Sequence, residues 1–201
     1  MRRTAAALLL TVFSLAAVAQ APAGAPLRVR GTVQQLQGTA LSVTTRGGEH
    51  LTVKLADNYT VTGVAKADVA EVRSGKYVGT TTVGERDGAL VALEVHIYPE
   101  AMRGVAEGHR DWDLRPQSKM TNANVAEVVR LGEDRVLTVT YKGGEKKVLV
   151  PPDATIVKLT PTDRAALKAG SHVFAVAQRR PDGSLFAPRV YVGLEGQVPP
   201  M

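Results

Sequence analysis

Residues 41–49 read LSVTTRGGE, and residues 137–145 read LTVTYKGGE. In both stretches apolar and polar residues alternate, which predicts a β-strand with one buried face. The Gly-Gly pair that follows predicts a hairpin turn, because glycine tolerates the positive φ that tight hairpins require. The chain therefore contains the same strand and turn twice, 96 residues apart.

The similarity extends well beyond this hairpin. After one residue is dropped, the two copies stay aligned at an offset of 95. The pairs that match include Thr60 with Thr155, Asp68 with Asp163, Gly75 with Gly170, Val78 with Val173, Asp87-Gly88 with Asp182-Gly183, Leu90 with Leu185, Ala92 with Ala187 and Val95 with Val190. We therefore predict two copies of one module, residues 28–97 and 124–192, joined by a connector, residues 98–123, and followed by a tail, residues 193–201.

Each module has the same predicted order of elements. In the first copy, alternation and β-branched residues predict strands at 28–36, 39–45, 49–55, 76–83 and 89–97, with a further short strand near 59–62. A helix is predicted at 66–73 and, in the second copy, at 162–168, with Thr160 or Thr162 as its cap. Gly75 and Gly170 lie where a left-handed cap residue belongs.

Three strands, a helix and two strands are typical of the OB-fold, a small five-stranded barrel. The predicted fold class is mainly β, with two tandem five-stranded OB-like barrels, each carrying one short helix. An SH3-like or other small barrel of similar size is the alternative. Because a module of about 70 residues without cross-links has little core, we expect the two barrels to pack together.

The N-terminal segment predicts export. Residues 1–21 combine Arg2 and Arg3, an apolar stretch and small residues around Ala19 and Ala21, which is the pattern of a cleaved signal peptide. Residues 22–27 form a predicted leader. Cleavage would lower the formal net charge from +6 to +4. The chain has no cysteine, and a protein with adequate cores needs no disulfides, so we predict a periplasmic protein with no membrane-spanning segment after cleavage.

Several classes of function are disfavoured by the sequence. The absence of cysteine excludes thiolate metal sites and cysteine nucleophiles. Catalytic motifs for metalloproteases, serine hydrolases and phosphate-binding loops are missing. Charges are mixed, and aromatics make up only 4% of the chain, so we expect no nucleic-acid partner. We accordingly predict that the protein is not an enzyme.

The connector has no counterpart in the repeat and is the predicted location of function. Its His and Met residues, with His96 just before it, offer imidazole and thioether, which suit copper or, less specifically, zinc. The candidate metal ligands are His96, Met102, His109 and Met120.

A second interpretation assigns the connector to packing and contact. Trp112 and Leu114 would pin it across both barrels, and Arg103, Arg110 and Arg115 would pair with Glu100, Glu107, Asp111 and Asp113. The predicted contact surface consists of Glu100, Arg103, Glu107 and Trp112.

The paired motifs resemble those of exported bacterial proteins with tandem OB-like domains of unknown function. The motifs are Gly31 and Val33 in the first strand, the Gly-Gly-Glu hairpin, Val72, Gly75 and Val78 with Leu167, Gly170 and Val173, the Asp-Gly hairpin, residues 94–113 and Pro199-Pro200-Met201. One subgroup is often labelled "metal ABC transporter permease", which this sequence contradicts, since it has one long apolar run only. The resemblance implies an OB-like fold and export, and no catalytic residue.

Together these observations predict a periplasmic, non-enzymatic binding or accessory protein, with a periplasmic protein as its possible partner. The alternative is a copper-type metal-binding protein that uses the histidines and methionines of the connector.

Overall fold

A computed structural model describes residues 26–201, in which twelve β-strands and three single 3-10 turns occur and no α-helix. The strands are β1 (Leu27–Gln37), β2 (Ala40–Thr45), β3 (His50–Lys66), β4 (Tyr77–Arg86), β5 (Ala89–Ile97), β6 (Gly108–Asp111), β7 (Lys119–Leu131), β8 (Asp134–Tyr141), β9 (Gly144–Val150), β10 (Thr155–Pro161), β11 (His172–Arg179) and β12 (Leu185–Gly193). The predicted signal peptide and residues 22–25 of the leader lie outside the described residues.

Five of these strands form a closed barrel, the first ring. The pairing order is β1-β2-β3-β12-β11, and β11 pairs back onto β1. The ladder between β3 and β12 is parallel and runs from Val53 and Leu185 to Val64 and Gly193. Small aliphatic side chains fill the interior, with Leu41 and Val53 fully buried. A mainly β fold with a closed five-stranded barrel is therefore confirmed.

Five other strands pair in a second cycle, the second ring. Their order is β7-β8-β9-β5-β4, and β4 pairs back onto β7. The contact between β5 and β9 is short, with Leu90 opposite Val148 and Val91 opposite Leu149. A separate hydrophobic cluster occupies the interior of this ring, and it includes Val78, Val95 and Leu137.

The strand pairing corrects the predicted domain boundaries. The first ring takes β1–β3 from the first repeat and β11–β12 from the second, while the second ring takes β7–β9 and β4–β5. Residues 28–97 and 124–192 therefore do not each form a ring of their own. β3, which was predicted as two strands, continues without a break from His50 to Lys66. Its counterpart in the second copy is divided into β9 and β10, and that copy makes the same exchange.

Strand β10 joins the two rings into one sheet. It pairs antiparallel with the end of β3 and parallel with β5. The chain thus crosses between the rings twice. It leaves the first ring along the end of β3 and returns to it after β10, and these two segments pair side by side. The rings consequently share a backbone ladder as well as a side-chain interface.

The two predicted helices are wrong in type. Residues 66–73 and 162–168 contain only the 3-10 turns Val69–Glu71 and Arg164–Ala166. Segments this short do not recover the cost of helix nucleation. The caps are Asp68 and Asp163, rather than a threonine. Gly75 and Gly170 do adopt the expected left-handed conformation, each with φ +83°.

The repeat alignment also needs one correction at its start. In the β1–β2 hairpin Val33 pairs with Val43, and in the β7–β8 hairpin Val125 pairs with Val139. The first strands therefore correspond at an offset of 92, and not 96, because the β7–β8 hairpin is longer. As a result β7 begins at Lys119, and the last residues of the predicted connector belong to the second ring.

Candidate functional site

The candidate site lies where the outer face of the second ring meets the first ring. Val95 points into the core of the second ring, so its neighbours in β5, Glu94 and His96, point outward. Outward-facing polar residues are normally solvated, yet each of these two is only 1% exposed. The connector and the first ring cover this face, which turns an outer surface into an interior.

Glu94 and His96 form a close pair. An oxygen of Glu94 (Oε1) lies 3.1 Å from Nε2 of His96. The two atoms do not have the alignment of a hydrogen bond, and both Nε2 and the second oxygen of Glu94 (Oε2) are buried without a partner. Buried polar atoms are nearly always satisfied, so this pair is unusual and points to a function for the site.

Two neighbouring strands complete the polar cluster. Thr81, in β4, is fully buried and donates a hydrogen bond of 2.5 Å to Oε1 of Glu94. The same hydroxyl lies 4.0 Å from the thioether sulfur of Met120, in β7. Thr81 therefore stands between the carboxylate of Glu94 and the sulfur of Met120.

A cavity of about 90 Å³ opens beside this cluster. His96, Met120 and Asn122 of the second ring form one wall. The opposite wall consists of Phe174 and Tyr191 of the first ring. The volume is enough for a few water molecules and falls below the roughly 300 Å³ of a typical organic ligand site, so it suits an ion or a molecule of a few atoms.

The connector closes the cavity with Trp112. This indole packs against Phe174, with the ring centroids 6.3 Å apart. The guanidinium of Arg28 lies over the indole, 4.0 Å from the ring centroid. Its Nε1 is buried and has no partner, as does Oδ1 of Asn122. The cavity is thus bordered by an unused donor and an unused acceptor in addition to His96.

Arginines surround the aromatic wall. Arg28 and Arg30 both bind the carboxylate of Asp113, at 3.4 and 2.6 Å. Arg30 also donates to the backbone oxygen of Met201, whose side chain lines the cavity. Arg110 lies 5.7 Å from the Trp112 ring. Burial, followed by the charge of Arg28, lowers the pKa of Arg110 below its usual value.

Tyr98 lines the cavity, and Tyr77 packs against it with the ring centroids 5.3 Å apart. Burial is the main cause that raises the pKa of Tyr98 far above its usual value. Burial likewise raises the pKa of Tyr77 to about 12, with a further contribution from the charge of Glu107. Tyr77 donates a hydrogen bond of 3.1 Å to the backbone oxygen of Val105, which holds the connector against β4.

Gly79 creates the space for this arrangement. A Cβ atom at this position would lie 2.7 Å from Oδ1 of Asn122, 3.1 Å from Cε2 of Tyr98 and 3.3 Å from Nδ1 of His96. The side chains of three elements therefore cross directly over the backbone of β4. At the offset of 95 the counterpart of Gly79 is Phe174, an aromatic residue of the opposite wall.

The repeat symmetry is broken at the site. The counterparts of Glu94 and His96 are Arg189 and Tyr191. By contrast, Val95, which lies between the two, matches Val190, and Ala92, shortly before them, matches Ala187. Ala92 and Val95 belong to the core of the second ring, and their counterparts belong to the core of the first. Glu94 and His96, which have no equivalent in the second copy, face the space between the rings.

The structure brings two of the four predicted metal ligands together. His96 and Met120 line the same cavity. Met102 lines a different groove beside Tyr59 and Arg164. His109 pairs with Thr121 across the β6–β7 ladder and contacts its hydroxyl at 2.8 Å, which places it on the face of β7 opposite to Met120.

The environment of His109 also differs from that of His96. Burial is the first cause that lowers the pKa of His109, and the charges of Lys146 and Lys119 add to it. Among residues 26–201 no group of three or more His, Asp and Glu residues has the geometry to hold a metal ion.

The predicted contact surface is divided by the structure. Glu100 and Arg103 are paired at 2.5 Å on the exposed 3-10 turn of the connector. Arg103 also binds the backbone oxygen of Gly75 at 2.9 Å. Glu107 accepts a hydrogen bond from the backbone N–H of Lys142. Trp112 instead turns inward and packs against Phe174 of the first ring.

Sequence reasoning missed Glu94, Thr81, Asn122 and Gly79. A signal was present in residues 94–97, which read EVHI. Alternation places Glu94 and His96 on one face of a strand whose other face is the core. A polar pair on the outer face of a barrel strand is ordinarily solvated, so only the covering by the connector reveals its significance.

Comparisons with known proteins add nothing to this geometry: no family model, curated protein or solved structure matches the chain. The resemblance to exported OB-like proteins accordingly stays a prediction. Within residues 26–201 we find no helix with the length and apolar character needed to cross a membrane.

Proposed function

We propose that this protein is a periplasmic, non-enzymatic binding protein that holds a small ligand in the cavity between its two rings. We further propose that each ring is an OB-like barrel. Both rings follow the order first, second, third, fifth and fourth strand of the repeat, which supports one common barrel topology.

One observation carries the proposal: unpartnered polar atoms collect around one cavity. Nε2 of His96, Oδ1 of Asn122 and Nε1 of Trp112 are all buried and unsatisfied, and all three residues line it. Each unsatisfied buried group costs on the order of 1–3 kcal/mol. A bound ligand that contacts these atoms would recover part of that cost.

The elements that build the cavity support binding over a purely structural role. The connector contributes Trp112 and Arg110, while each ring contributes an outer face. Because these three parts come together only in the folded chain, the cavity is preorganised. Ala106 of the connector is exposed and also lines the cavity, so the connector side offers a route for entry.

Trp112 provides a direct test, since it is the only tryptophan in the chain. Its fluorescence would be titrated in separate arms with copper, zinc, sodium phosphate and sodium acetate. The proposal is supported by a saturable change in at least one arm that Asn122→Ala weakens and that Asn58→Ala, in a groove outside the cavity, leaves unaffected. The proposal is contradicted if the fluorescence does not change in any arm and native mass spectrometry detects no retained ligand.

A further inference from the structure

We propose that Glu94, His96 and Met120 form a binding site for one copper ion, preferentially in the monovalent state. This inference rests on the proposed binding function and names its ligand. It differs from the connector site expected from sequence, because it includes Glu94 and leaves out His109 and Met102.

The spacing of the donor atoms supports a shared metal. With bonds of about 2.1 Å, two ligand atoms lie about 3.0 Å apart at a right angle and about 3.4 Å apart at the tetrahedral angle. The distance of 3.1 Å between Nε2 of His96 and Oε1 of Glu94 lies between these values. A hydrogen bond would align the two atoms, whereas ligands of a common ion direct their lone pairs to a third point.

Thr81 links the proposed third donor, Met120, to this pair. The sulfur of Met120 is 4.0 Å from Oγ1 of Thr81, which in turn is 2.5 Å from Oε1 of Glu94. His96 and Met120 both face the cavity, and its volume leaves room for water or a small ligand to complete the coordination. The hydrogen bond from Thr81 fixes the carboxylate, which is the usual role of a residue behind a metal ligand.

The thioether of Met120 favours copper over zinc. Imidazole and carboxylate ligands serve zinc as well, whereas thioether sulfur selects monovalent copper, so Met120 is the donor that distinguishes the two metals. Charge points the same way. Arg46 lies close enough for the charge of Glu94 to act on it, so part of the carboxylate charge is already balanced. A monovalent ion therefore leaves less uncompensated positive charge in the buried site than a divalent ion.

Asn122 and Arg28 limit the site without being ligands. Asn122 donates from Nδ2 to the backbone oxygen of Val105, which ties the connector over the cavity. Arg28 covers Trp112 on the far side. Both contacts hold the connector in place beside the cavity.

The test compares two matched pairs of variants in the purified protein. His96→Gln and Met120→Leu alter the proposed ligands, and His109→Gln and Met102→Leu make the same chemical changes outside the site. Monovalent copper would be titrated against a chromogenic chelator under reducing conditions. We expect one copper per chain in the unsubstituted protein, binding at least tenfold weaker in each of the first pair, and unchanged binding in the second pair.

X-ray absorption of the copper-loaded protein gives an independent measurement. We expect one sulfur neighbour together with nitrogen or oxygen neighbours, and the loss of sulfur in Met120→Leu. Met120→Leu nearly preserves side-chain volume, so it keeps the test informative if His96→Gln does not fold. Circular dichroism of all four variants would verify folding.

Three results would overturn the copper inference. The first is the absence of stoichiometric copper uptake. The second is a loss of binding with His109→Gln or Met102→Leu but not with His96→Gln. The third is zinc binding that Met120→Leu leaves unchanged. If copper fails while phosphate or acetate changes the fluorescence of Trp112, the binding function stands without the metal; if every arm is silent, both proposals fail.

Discussion

Val64 and Leu159 pair with each other across the antiparallel ladder between β3 and β10, and they are also each other's counterparts at the repeat offset of 95. A residue that pairs with its own counterpart lies on a local two-fold axis. The parallel ladders obey the same relation. Val192 pairs with Gly63, and Ile97 and Lys158, which are the counterparts of these two residues, pair with each other. The two repeats are therefore related as the subunits of a symmetric dimer are.

The exchange of strands predicts fragment complementation. Residues 26–97 and 98–201, produced separately, each lack partners for both rings, so each should unfold at a lower temperature than the intact protein. When mixed they should form a 1:1 complex that unfolds cooperatively near the temperature of the intact chain. Light scattering and thermal circular dichroism measure both properties. Two monomeric fragments that are each as stable as the whole would contradict the observed pairing.

Gly79→Ala should destabilise the protein by about 1–3 kcal/mol, because the new methyl group overlaps Oδ1 of Asn122 and the ring of Tyr98. Gly47→Ala is the matched control. At that position the nearest atom to a new Cβ is 3.8 Å away. Urea unfolding of both variants gives the comparison. Equal stabilities would show that the crossing side chains have room to move aside.

Thr81→Val should cost about 1–3 kcal/mol, since it removes the hydrogen bond to Glu94 and leaves a buried carboxylate without a donor. Thr80→Val is a suitable control. Thr80 is equally buried, but its hydroxyl contacts the backbone oxygen of Thr121 only at 3.5 Å. Combining Thr81→Val with Glu94→Leu should recover much of the loss, which a double-mutant cycle would detect. An additive double variant would contradict the coupling.

The raised pKa of Tyr77 predicts a loss of stability in alkali. Its pKa is about 12 in the folded protein and 10.0 ordinarily, so between these values the unfolded chain releases a proton that the folded chain retains. The free energy of unfolding should therefore fall from about pH 10 to about pH 12. In Tyr77→Phe this decline should be shallower. Tyr141→Phe, at a half-exposed position in β8, is the control, and urea unfolding at several pH values is the measurement.

A good part of the fold could be predicted from sequence, and the reason is local. Alternation and turn glycines are short-range signals, so the strands and the hairpin at Gly47-Gly48 could be predicted from sequence. The exchange of strands between the rings could not be predicted in this way. Strands β5 and β12 carry the same Leu, Ala and Val residues at equivalent positions, so either could close either ring equally well. In both copies the chain continues past the third strand into the other ring, as the end of β3 and as β10, whereas residues 56–58 read as a break.

The site was only partly predictable for a related reason. His96 and Met120 stood out by residue type, but their proximity depends on the ladder between β4 and β7, which links strands 41 residues apart in sequence at Thr80 and Thr121. Glu94 looked like an ordinary carboxylate on a strand. Its importance follows from burial beneath a connector whose path has no repeat to predict it.

The exchanged strands constrain when the molecule can fold. β1, β2 and β3 are the first strands of the described chain, yet their ring closes only with β11 and β12, which end at Gly193. Strand pairing between such distant segments is slow. The earliest strands must therefore wait, with their edges open, until nearly the whole chain is present. The strands of the second ring all lie between Tyr77 and Val150, so this ring can close first, and the ring in which the described chain begins is completed last.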